Sequence, residues 1–570
     1  MNKDKDEKIK NETSNQLWNQ IKEACNTAAD KVLKKKTKKE KNQNNRIKEL
    51  SNKQKAIQNQ IKSTKNENQI KTLRQMRNNI MREIHYLIRI EKENIELKKI
   101  ESIENSKDDS GRMFRTIRLS NHTKKKEHVF IEENETALNN EKSTEKITEY
   151  FTKLFSEEEI KTDLDEIKPI KMKVPFSSEE IRRAIKKLKN NKTPGPDNIP
   201  AELFKNCPEE LISKIVDLFN NIAQTGEIPQ DLDLGYLIPL HKAGQKKGKT
   251  ENLRPIILLN IIRKLLALVI IIRIGNKIDN EIPITQAAYR KGRGTTENVF
   301  TFKVLAEKAI IEQNAEINIR LMDMSKAFDS VNRNELLKDL KLILEEDELH
   351  IVKLLLTNVK LQVKNKDLIG EKFNTTRGIP QGDSLSPMLF TLYLAKSMEK
   401  HNKEKSDENI TKEHNYSKEA NTTIRIPSHL KDHTYYKKQE QGINIKQEFA
   451  DDISRLNRYE EIVEELIKED TEQLERRNFI INPDKTEKFK ISINSDEKWK
   501  KCKYLGSLLG TDEDISRRKQ LAMVSYNKYK NILESKKLSL KVRCRLFNVY
   551  VSSIFFIQQR ALVSNEEVEQ

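Results

Sequence analysis

The sequence predicts an α+β fold preceded by a long-helix N-terminal extension, and two stretches of the chain carry that prediction. Residues 1–105 contain no proline or glycine, and apolar residues recur at helical spacing from Ile70 to Leu87. Residues 317–322 instead alternate apolar and polar side chains, as a half-buried strand does, before helical spacing returns. We therefore expect a basic helical hairpin in residues 1–105 and a sheet-containing body after it.

The composition indicates a polyanionic partner. The chain has 570 residues, enough for about two to four domains, with 107 Lys and Arg against 88 Asp and Glu and a formal net charge of +19. Because neutralising phosphates releases counterions, such a surface favours nucleic acid over a membrane. A coding bias towards Lys and Asn explains part of the excess.

The cysteines, the N-terminus and the most apolar stretch together predict an intracellular protein. The four cysteines are far apart and form no CxxC pair, so neither a disulfide framework nor a zinc knuckle is predicted. The N-terminus has no apolar signal core, and residues 255–274, the most apolar stretch, are interrupted by Arg and Lys and predict a buried helix rather than a membrane span. We expect an intracellular protein of the nucleus and cytoplasm. The Lys-rich run 34–41 is a nuclear address, a phosphate contact or a solvated helix face.

The adjacent carboxylates Asp451 and Asp452 indicate a metal site. Two neighbouring negative charges repel, so a chain that keeps them together usually has a cation for them to share, and Mg²⁺ prefers hard oxygen ligands. Asp323, at the end of the predicted strand, supplies a third carboxylate. Two alternatives stay open: the pair is unremarkable in a highly charged chain, and Asp323, Ser325 or Asp329 caps a helix.

A series of motifs in a fixed order surrounds these aspartates. They are 191–197 (NKTPGPD), 238–242 (IPLHK), 252–256 (NLRPI), Gln286 with 289–296 (YRKGRGTT), Asp323 with 326–331 (KAFDSV), 378–387 (GIPQGDSLSP), 449–452 (FADD), 481–486 (INPDKT) and 504–507 (YLGS). In number and order they resemble reverse transcriptases, and within that class the enzymes of non-LTR (LINE-type) retrotransposons. The resemblance covers residues 175–510. Residues 1–105 show no alternating strand pattern of the kind that the upstream endonuclease of such elements needs, so we expect the chain to be the polymerase region of a longer element or a truncated copy.

The resemblance implies a right-hand polymerase, with fingers, a palm built on an antiparallel sheet, and a thumb. It divides the chain into a basic helical extension (1–105), a linker and the start of the fingers (106–174), fingers and palm (175–510) with a surface insertion (401–440), and a partial helical thumb (511–570). The implied activity is RNA-directed DNA synthesis, in which dNTPs are added to a primer 3′ end by two-metal phosphoryl transfer during retrotransposition. Template RNA, primer DNA and dNTPs are the implied partners.

The same resemblance implies roles for the acidic residues. Asp323 and Asp451 would bridge two Mg²⁺ ions, with Mn²⁺ as the alternative ion. Asp452 completes the family's triad, and Met324 lends its backbone carbonyl. Lys485 is either a general acid that protonates the departing pyrophosphate or an ordinary exposed lysine.

Nucleotide binding is implied at five further positions. Phe328 matches an aromatic gate that would clash with a ribose 2′ hydroxyl, the alternative being a core aromatic on an amphipathic helix. Arg254 would pair with the triphosphate through its planar guanidinium, and Lys242 would be a second phosphate contact. Gln381 and Gly382 would line the nucleotide and template strand. The expected primer grip is Tyr504, Leu505 and Gly506.

One departure from the family keeps a rival function open. The strand after the FADD turn is usually apolar, but here it contains Arg455, Asn457 and Arg458, which would need polar partners if buried. Either that strand is short and exposed, or the copy has decayed to a retroelement-derived RNA-binding protein. A different palm polymerase, intron-encoded or RNA-dependent, is disfavoured by Phe328 and by the block at 291–296.

Overall fold

A computed structural model describes residues 12–32, 45–107, 109–121, 128–156, 168–311, 317–357, 359–404, 445–457, 459–483, 486–492 and 497–556. The run 34–41, Arg458, Lys485 and nearly all of the predicted insertion lie outside these ranges. The chain divides into two compact units. Unit 1 contains Met1–Val32, Glu127–Asp514 and Arg560–Gln570, and unit 2 contains Leu33–Lys126 and Ile515–Gln559.

The N-terminal part is helical, as predicted. Its helices are α1 (Ser14–Val32), α2 (Asn45–Ser63), α3 (Glu67–Glu104) and α4 (Ser110–Asn121). Helices α2 and α3 form the expected hairpin: Arg46 lies 3.2 Å from Glu83, and Arg77 donates to Gln58 at 3.1 Å. The side chain of Asn66 begins α3 by accepting hydrogen bonds from the backbone of its first turn. The units cut across the predicted extension, because α1 belongs to unit 1 and α2 to α4 belong to unit 2.

The next part of unit 1 contains helices and two of the strands of a mixed sheet. Its elements are β1 (Glu132–Glu133), β2 (Thr136–Ala137), α5 (Asn140–Phe155), α6 (Ser178–Lys187), α7 (Ala201–Lys205), α8 (Glu209–Thr225), α9 (Gln230–Asp233), β3 (Leu234–His241), β4 (Leu253–Leu258), α10 (Ile261–Glu281) and α11 (Thr295–Ile311). The apolar stretch 255–274 is therefore the end of β4 followed by α10. The prediction of one buried helix was wrong for its first residues. Pro255 is accommodated because β4 is an edge strand of its sheet.

The rest of the chain supplies the central sheet and the C-terminal helices. Its elements are β5 (Ile317–Met322), β6 (Met324–Ser325), α12 (Ala327–Ser330), α13 (Arg333–Lys341), α14 (Glu346–Thr357), β7 (Lys360–Asn365), β8 (Leu368–Asn374), α15 (Ser386–Glu404), β9 (Ile445–Phe449), β10 (Asp452–Asn457), α16 (Glu460–Arg476), β11 (Ile480–Ile481), β12 (Glu487–Ile491), β13 (Lys503–Tyr504), β14 (Ser507–Leu508), α17 (Thr511–Leu533), α18 (Leu540–Phe547) and α19 (Ser553–Phe556). None of the described helices combines the length and apolar composition needed to cross a bilayer.

Two four-stranded sheets organise unit 1. The central sheet has the order β12-β5-β10-β9 with every neighbour antiparallel, and the second sheet has the order β4-β3-β7-β8 with a parallel β3–β7 pair. A large apolar core joins Met322 and Ile453 of the central sheet to α8, α10 and α15. The predicted α+β class, with an antiparallel sheet, is confirmed.

Strand β10 is regular and paired along both edges, which rules out one of the two alternatives, a short and exposed strand. Its residues from Ile453 to Asn457 pair with β5 on one side, and those from Asp452 to Leu456 pair with β9 on the other. Arg455 is 11 % exposed in its side chain and makes two hydrogen bonds of 2.7 Å to Asp470 on α16. The Asn457 side chain accepts from the backbone N–H of Tyr459 at 2.9 Å. These polar residues have the partners that burial demands.

Arg455 belongs to a row of basic residues that crosses the whole central sheet. Lys446, Arg455, Arg320 and Lys488 occupy paired positions on β9, β10, β5 and β12. Paired residues on neighbouring strands share one face of a sheet. Three of them find acids on α16: Arg455 with Asp470, and both Arg320 and Lys488 with Glu460 and Glu464. We call this set the ionic row. The ionic row joins the central sheet to α16 through ion pairs, whereas a sheet and a helix are usually joined by apolar contacts.

Unit 2 has its own core, built from both ends of the sequence. Buried residues of α3 and α4 pack with those of α17, α18 and the segments beside them; they are Ile103, Met113, Ile117, Ala522, Leu533, Leu538, Val542, Leu546 and Val551. The Glu104 carboxylate accepts a hydrogen bond from the Ser539 backbone N–H at 2.9 Å. Residues 110–121, predicted as part of a linker, thus contribute a core helix.

Candidate active site

Three aspartates meet at one end of the central sheet. Asp323 follows the last residue of β5, and Ile453 pairs with Met322, so Asp452 and Asp323 occupy the next positions on neighbouring strands. Opposite residues of antiparallel strands have Cα atoms about 4.5–5.5 Å apart. Asp451 lies in the tight turn between β9 and β10, and all three aspartates are partly buried. The register thus brings together the residues that the sequence singled out.

The backbone around Asp323 is fixed by the neighbouring β6–β11 pair. Its carbonyl accepts from the Asn482 N–H at 2.9 Å, and Met324 pairs with Ile481. The Met324 side chain is buried in the core, so only its backbone is available to the site. The capping alternative for Asp323 was wrong: α12 follows Lys326, which has a left-handed backbone and makes no side-chain cap.

The donor set fits a hard divalent cation. Among the described residues no group of three or more His, Cys, Asp or Glu side chains is arranged to hold a metal ion. Magnesium, however, is usually bound through one or two carboxylates together with substrate phosphates, rather than by an all-protein cage. Asp323 after the end of β5 and Asp451 in the β9–β10 turn supply carboxylates of the kind that this mode of binding requires.

Phe328 lies on α12 between a buried and an exposed aromatic ring. It stacks on the buried Phe390, with ring centroids 4.2 Å apart and planes at 12°. Tyr289 meets it edge-on at 6.3 Å and 90°. Phe328 is itself partly buried against the core, so it has both the packing of a core aromatic and an accessible edge.

Tyr289 is a site residue to which the sequence alone gave no role. Its backbone is left-handed, with a φ of +59°, and its side chain is 57 % exposed. Partial burial and the nearby Asp451 carboxylate raise the pKa of its hydroxyl. Tyr289 therefore lies close to Asp451 and touches Phe328. The only hint in the sequence was its place at the start of the YRKGRGTT block.

Gln381 joins the second sheet to α12, the helix that carries Phe328, and Gly382 packs against the same sheet. The Gln381 side chain donates to the Asp329 carboxylate at 3.0 Å, and its backbone carbonyl accepts from the Ile257 N–H at 2.7 Å. Gly382 has a φ of +124°, and a Cβ there would lie 2.4 Å from the Ile257 carbonyl oxygen. A larger residue is therefore excluded on two counts. Burial raises the pKa of Asp329 to about 7, although the Gln381 hydrogen bond opposes the rise.

The two predicted phosphate contacts are both on or beside the second sheet. Arg254 is exposed on β4, opposite Leu240. The Lys242 ammonium donates to the Glu251 carbonyl at 2.8 Å. Lys242 also lies near enough to Asp329 to favour its ionised form and so lower its pKa. Lys242 and Gln381 therefore both approach Asp329.

The predicted primer grip is a small hairpin whose tyrosine is an anchor. Tyr504 is buried: its ring lies 4.9 Å from that of Phe302, and its hydroxyl is 3.4 Å from the Ser454 hydroxyl on β10. Burial raises the pKa of Tyr504. Leu505 and Gly506, with φ values of +45° and +90°, form the turn and are the more accessible part. Lys485 lies outside the described residues.

The chain matches one family model and several curated proteins, and their names agree. Residues 242–509 match the family model "Reverse transcriptase (RNA-dependent DNA polymerase)". The chain is 27 % identical over 244 residues to "Probable RNA-directed DNA polymerase from transposon BS" of Drosophila melanogaster, covering 42 % of this chain and 27 % of that protein. It is 26 % identical over 223 residues to "RNA-directed DNA polymerase from mobile element jockey" of Drosophila funebris, covering 39 % and 24 %. The match thus spans about a quarter of each relative's length.

Among solved structures, the apo telomerase of Candida tropicalis aligns with a TM-score of 0.35 and 12 % identity. The alignment covers 58 % of this chain and 58 % of that one. That likeness is too distant to support an inference.

Proposed function

Since residues 242–509 form a reverse transcriptase domain, we propose that this chain is an RNA-directed DNA polymerase that adds dNTPs to a primer 3′ end in retrotransposition. The observation that carries the proposal is the register of the central sheet. It sets Asp323 and Asp452 side by side at the ends of β5 and β10, next to Asp451. Neighbouring acidic residues repel one another, and a cation bound together with substrate phosphates would offset that repulsion.

The acidic residues would act as the cation-binding part of the site. Asp323 and Asp451 would hold two Mg²⁺ ions, or Mn²⁺ as the alternative. Asp452 would support them, and Met324 would add its backbone carbonyl. When bound, the ions neutralise the triphosphate and lower the pKa of the primer 3′ hydroxyl. The 3′ hydroxyl would lose its proton to solvent water, and its oxygen would bond to the α-phosphorus as the bond to pyrophosphate breaks. Lys485 protonates the leaving pyrophosphate.

Other residues would select and hold the nucleotide. The Phe328 ring, backed by its stack on Phe390, cannot retreat from a ribose 2′ hydroxyl and so favours deoxynucleotides. Arg254 and Lys242 supply positive charge to the triphosphate, which suits the exposed position of the arginine. Gln381 and Gly382 line the nucleotide and template strand. The Leu505–Gly506 turn, anchored by Tyr504, holds the primer end.

The α2–α3 hairpin is the proposed contact for template RNA. Residues 45–90 contain eleven Lys and Arg against three Glu. Lys71, Arg74 and Arg82 are exposed on α3, where they can neutralise phosphates and release counterions. A nuclear and cytoplasmic location would fit a protein that acts on an RNA template and a DNA primer.

The rival function, a decayed RNA-binding protein, has lost the observation that favoured it. It rested on unpaired polar residues in β10, and Arg455 and Asn457 both have partners. No other feature of the described residues favours it over an active polymerase.

Primer extension on poly(rA)/oligo(dT) with Mg²⁺ and dTTP tests the proposal. We expect extension by the unmodified chain and none by Asp451→Ala. Glu475→Gln, on the exposed surface of α16, is the matched control and should extend normally. No extension by the unmodified chain, with Mg²⁺ or Mn²⁺, would refute polymerase activity while leaving the fold intact.

A further inference from the structure

We propose that Gln286 is a positioning residue that fixes the turn carrying Asp451, a role that rests on the proposed polymerase function. Ala450, the residue before Asp451, has a φ of +55°, a left-handed conformation that residues with a Cβ rarely adopt. Such a conformation persists only where surrounding contacts over-determine it. Ala450 therefore needs contacts that hold its backbone in this conformation.

The Gln286 side chain binds both backbone polar groups of Ala450. Its Oε1 accepts from the Ala450 N–H at 2.9 Å, and its Nε2 donates to the Ala450 carbonyl at 3.3 Å. The same Oε1 accepts from the Ala288 N–H at 3.1 Å. Gln286 is 1 % exposed, so water does not compete for these bonds. A primary amide has both a donor and an acceptor. Here it makes the two hydrogen bonds that the backbone of a neighbouring strand would make beyond the end of β9.

The chain around Gln286 is itself held as an added strand along β9. The Thr285 carbonyl accepts from the Glu448 N–H at 3.0 Å, and the Ala287 N–H donates to the Glu448 carbonyl at 3.1 Å. The Asn298 side chain donates to that same carbonyl at 3.0 Å. Because backbone bonds on both sides fix Gln286, its amide is already in place before any substrate binds.

The position of Asp451 is therefore fixed by a segment that lies outside the β9–β10 hairpin. The same segment carries Tyr289, which lies near Asp451 and meets Phe328 edge-on. A residue that orients a metal-binding group without touching the metal typically changes metal affinity or activity by about 10- to 100-fold when it is replaced. We expect Gln286 to fall in that range.

The test compares Gln286→Met with Gln447→Met in the full chain. Methionine keeps the length of the side chain and removes its hydrogen bonds. Gln447 is the matched control because it is also buried, lies on β9, and has an Oε1 without a hydrogen-bond partner in the described part of the chain. Hydrogen exchange of the peptide around Ala450, Mn²⁺ affinity and kcat for primer extension are measured for both.

In Gln286→Met, exchange around Ala450 should become at least about tenfold faster, and Mn²⁺ affinity and kcat should fall by about 10- to 100-fold. Its KM for primer–template should not change, and Gln447→Met should leave all of these near the unmodified values. Unchanged exchange in Gln286→Met, or equal effects in the two variants, would overturn the role of Gln286. An unmodified chain without polymerase activity would refute the proposed function instead, because exchange and Mn²⁺ binding still report on the turn.

Discussion

Replacing Arg455 with methionine should destabilise unit 1 by about 3–5 kcal/mol, because it leaves a buried carboxylate without its counterion. Arg455 and Asp470 are joined by two hydrogen bonds of 2.7 Å, and their side chains are only 11 % and 4 % exposed. Removing both charges in Arg455→Met/Asp470→Leu should restore most of the loss. In a buried pair, attraction does little more than offset the free energy of removing two charges from water.

Urea unfolding of the full chain, followed by circular dichroism and by hydrogen exchange of β10, measures these effects. Lys488→Met is the matched control: it belongs to the same ionic row, but Lys488 and Glu464 are 57 % and 47 % exposed. An exposed pair contributes about 0–1 kcal/mol. The reasoning fails if Arg455→Met costs no more than Lys488→Met, or if the double variant is as unstable as the single one.

Three further outcomes are expected. Phe328→Ala should raise the kcat/KM for ribonucleotides relative to deoxynucleotides, measured with UTP and dUTP, which differ only in the 2′ hydroxyl; an unchanged ratio would refute the role of Phe328 as a gate. The pKa of Asp329 is raised from 3.8 to about 7 in the folded state, so the folded chain keeps a proton that the unfolded chain loses. Stability should accordingly fall as the pH rises from about 4 to 7, and Asp329→Asn, which keeps an acceptor for Gln381, should reduce that fall by at most about 4 kcal/mol; equal pH profiles would contradict this. Neutralising Lys71, Arg74 and Arg82 together should lower the salt dependence of single-stranded RNA affinity by about two logarithmic units per decade of salt, and an unchanged slope would exclude the α2–α3 hairpin as the contact.

Local patterns predicted the parts of the site that depend on neighbouring residues. The alternation of Ile317, Ile319 and Leu321 places Asp323 at a strand end because side chains in a strand repeat every second residue. An aromatic and a small residue just before Asp451 and Asp452 indicated that a strand ends there in a tight turn. Both features survive unchanged in the structure.

Features that depend on distant partners were not predictable in this way. Arg455 suggested a decayed copy because its partner, Asp470, lies 15 positions later on a helix. Strand spacing around Arg455 does not indicate which helical residue will face it. Nothing local to Gln286 indicates that its amide binds Ala450, more than 160 positions later. Residues 255–274 were misjudged because hydrophobicity is shared by buried strands and buried helices, and only the edge position of β4 admits Pro255.

The shared core of unit 2 has a consequence for synthesis on the ribosome. Helices α3 and α4 emerge early, but the residues that cover Met113 and Ile117 come from α17 and α18. About 400 residues must be made in between, which takes roughly 20–80 s at about 5–20 residues per second. Throughout that interval the early helices expose an apolar face. A nascent chain is therefore most prone to aggregate, and most in need of a chaperone, before its final helices are translated.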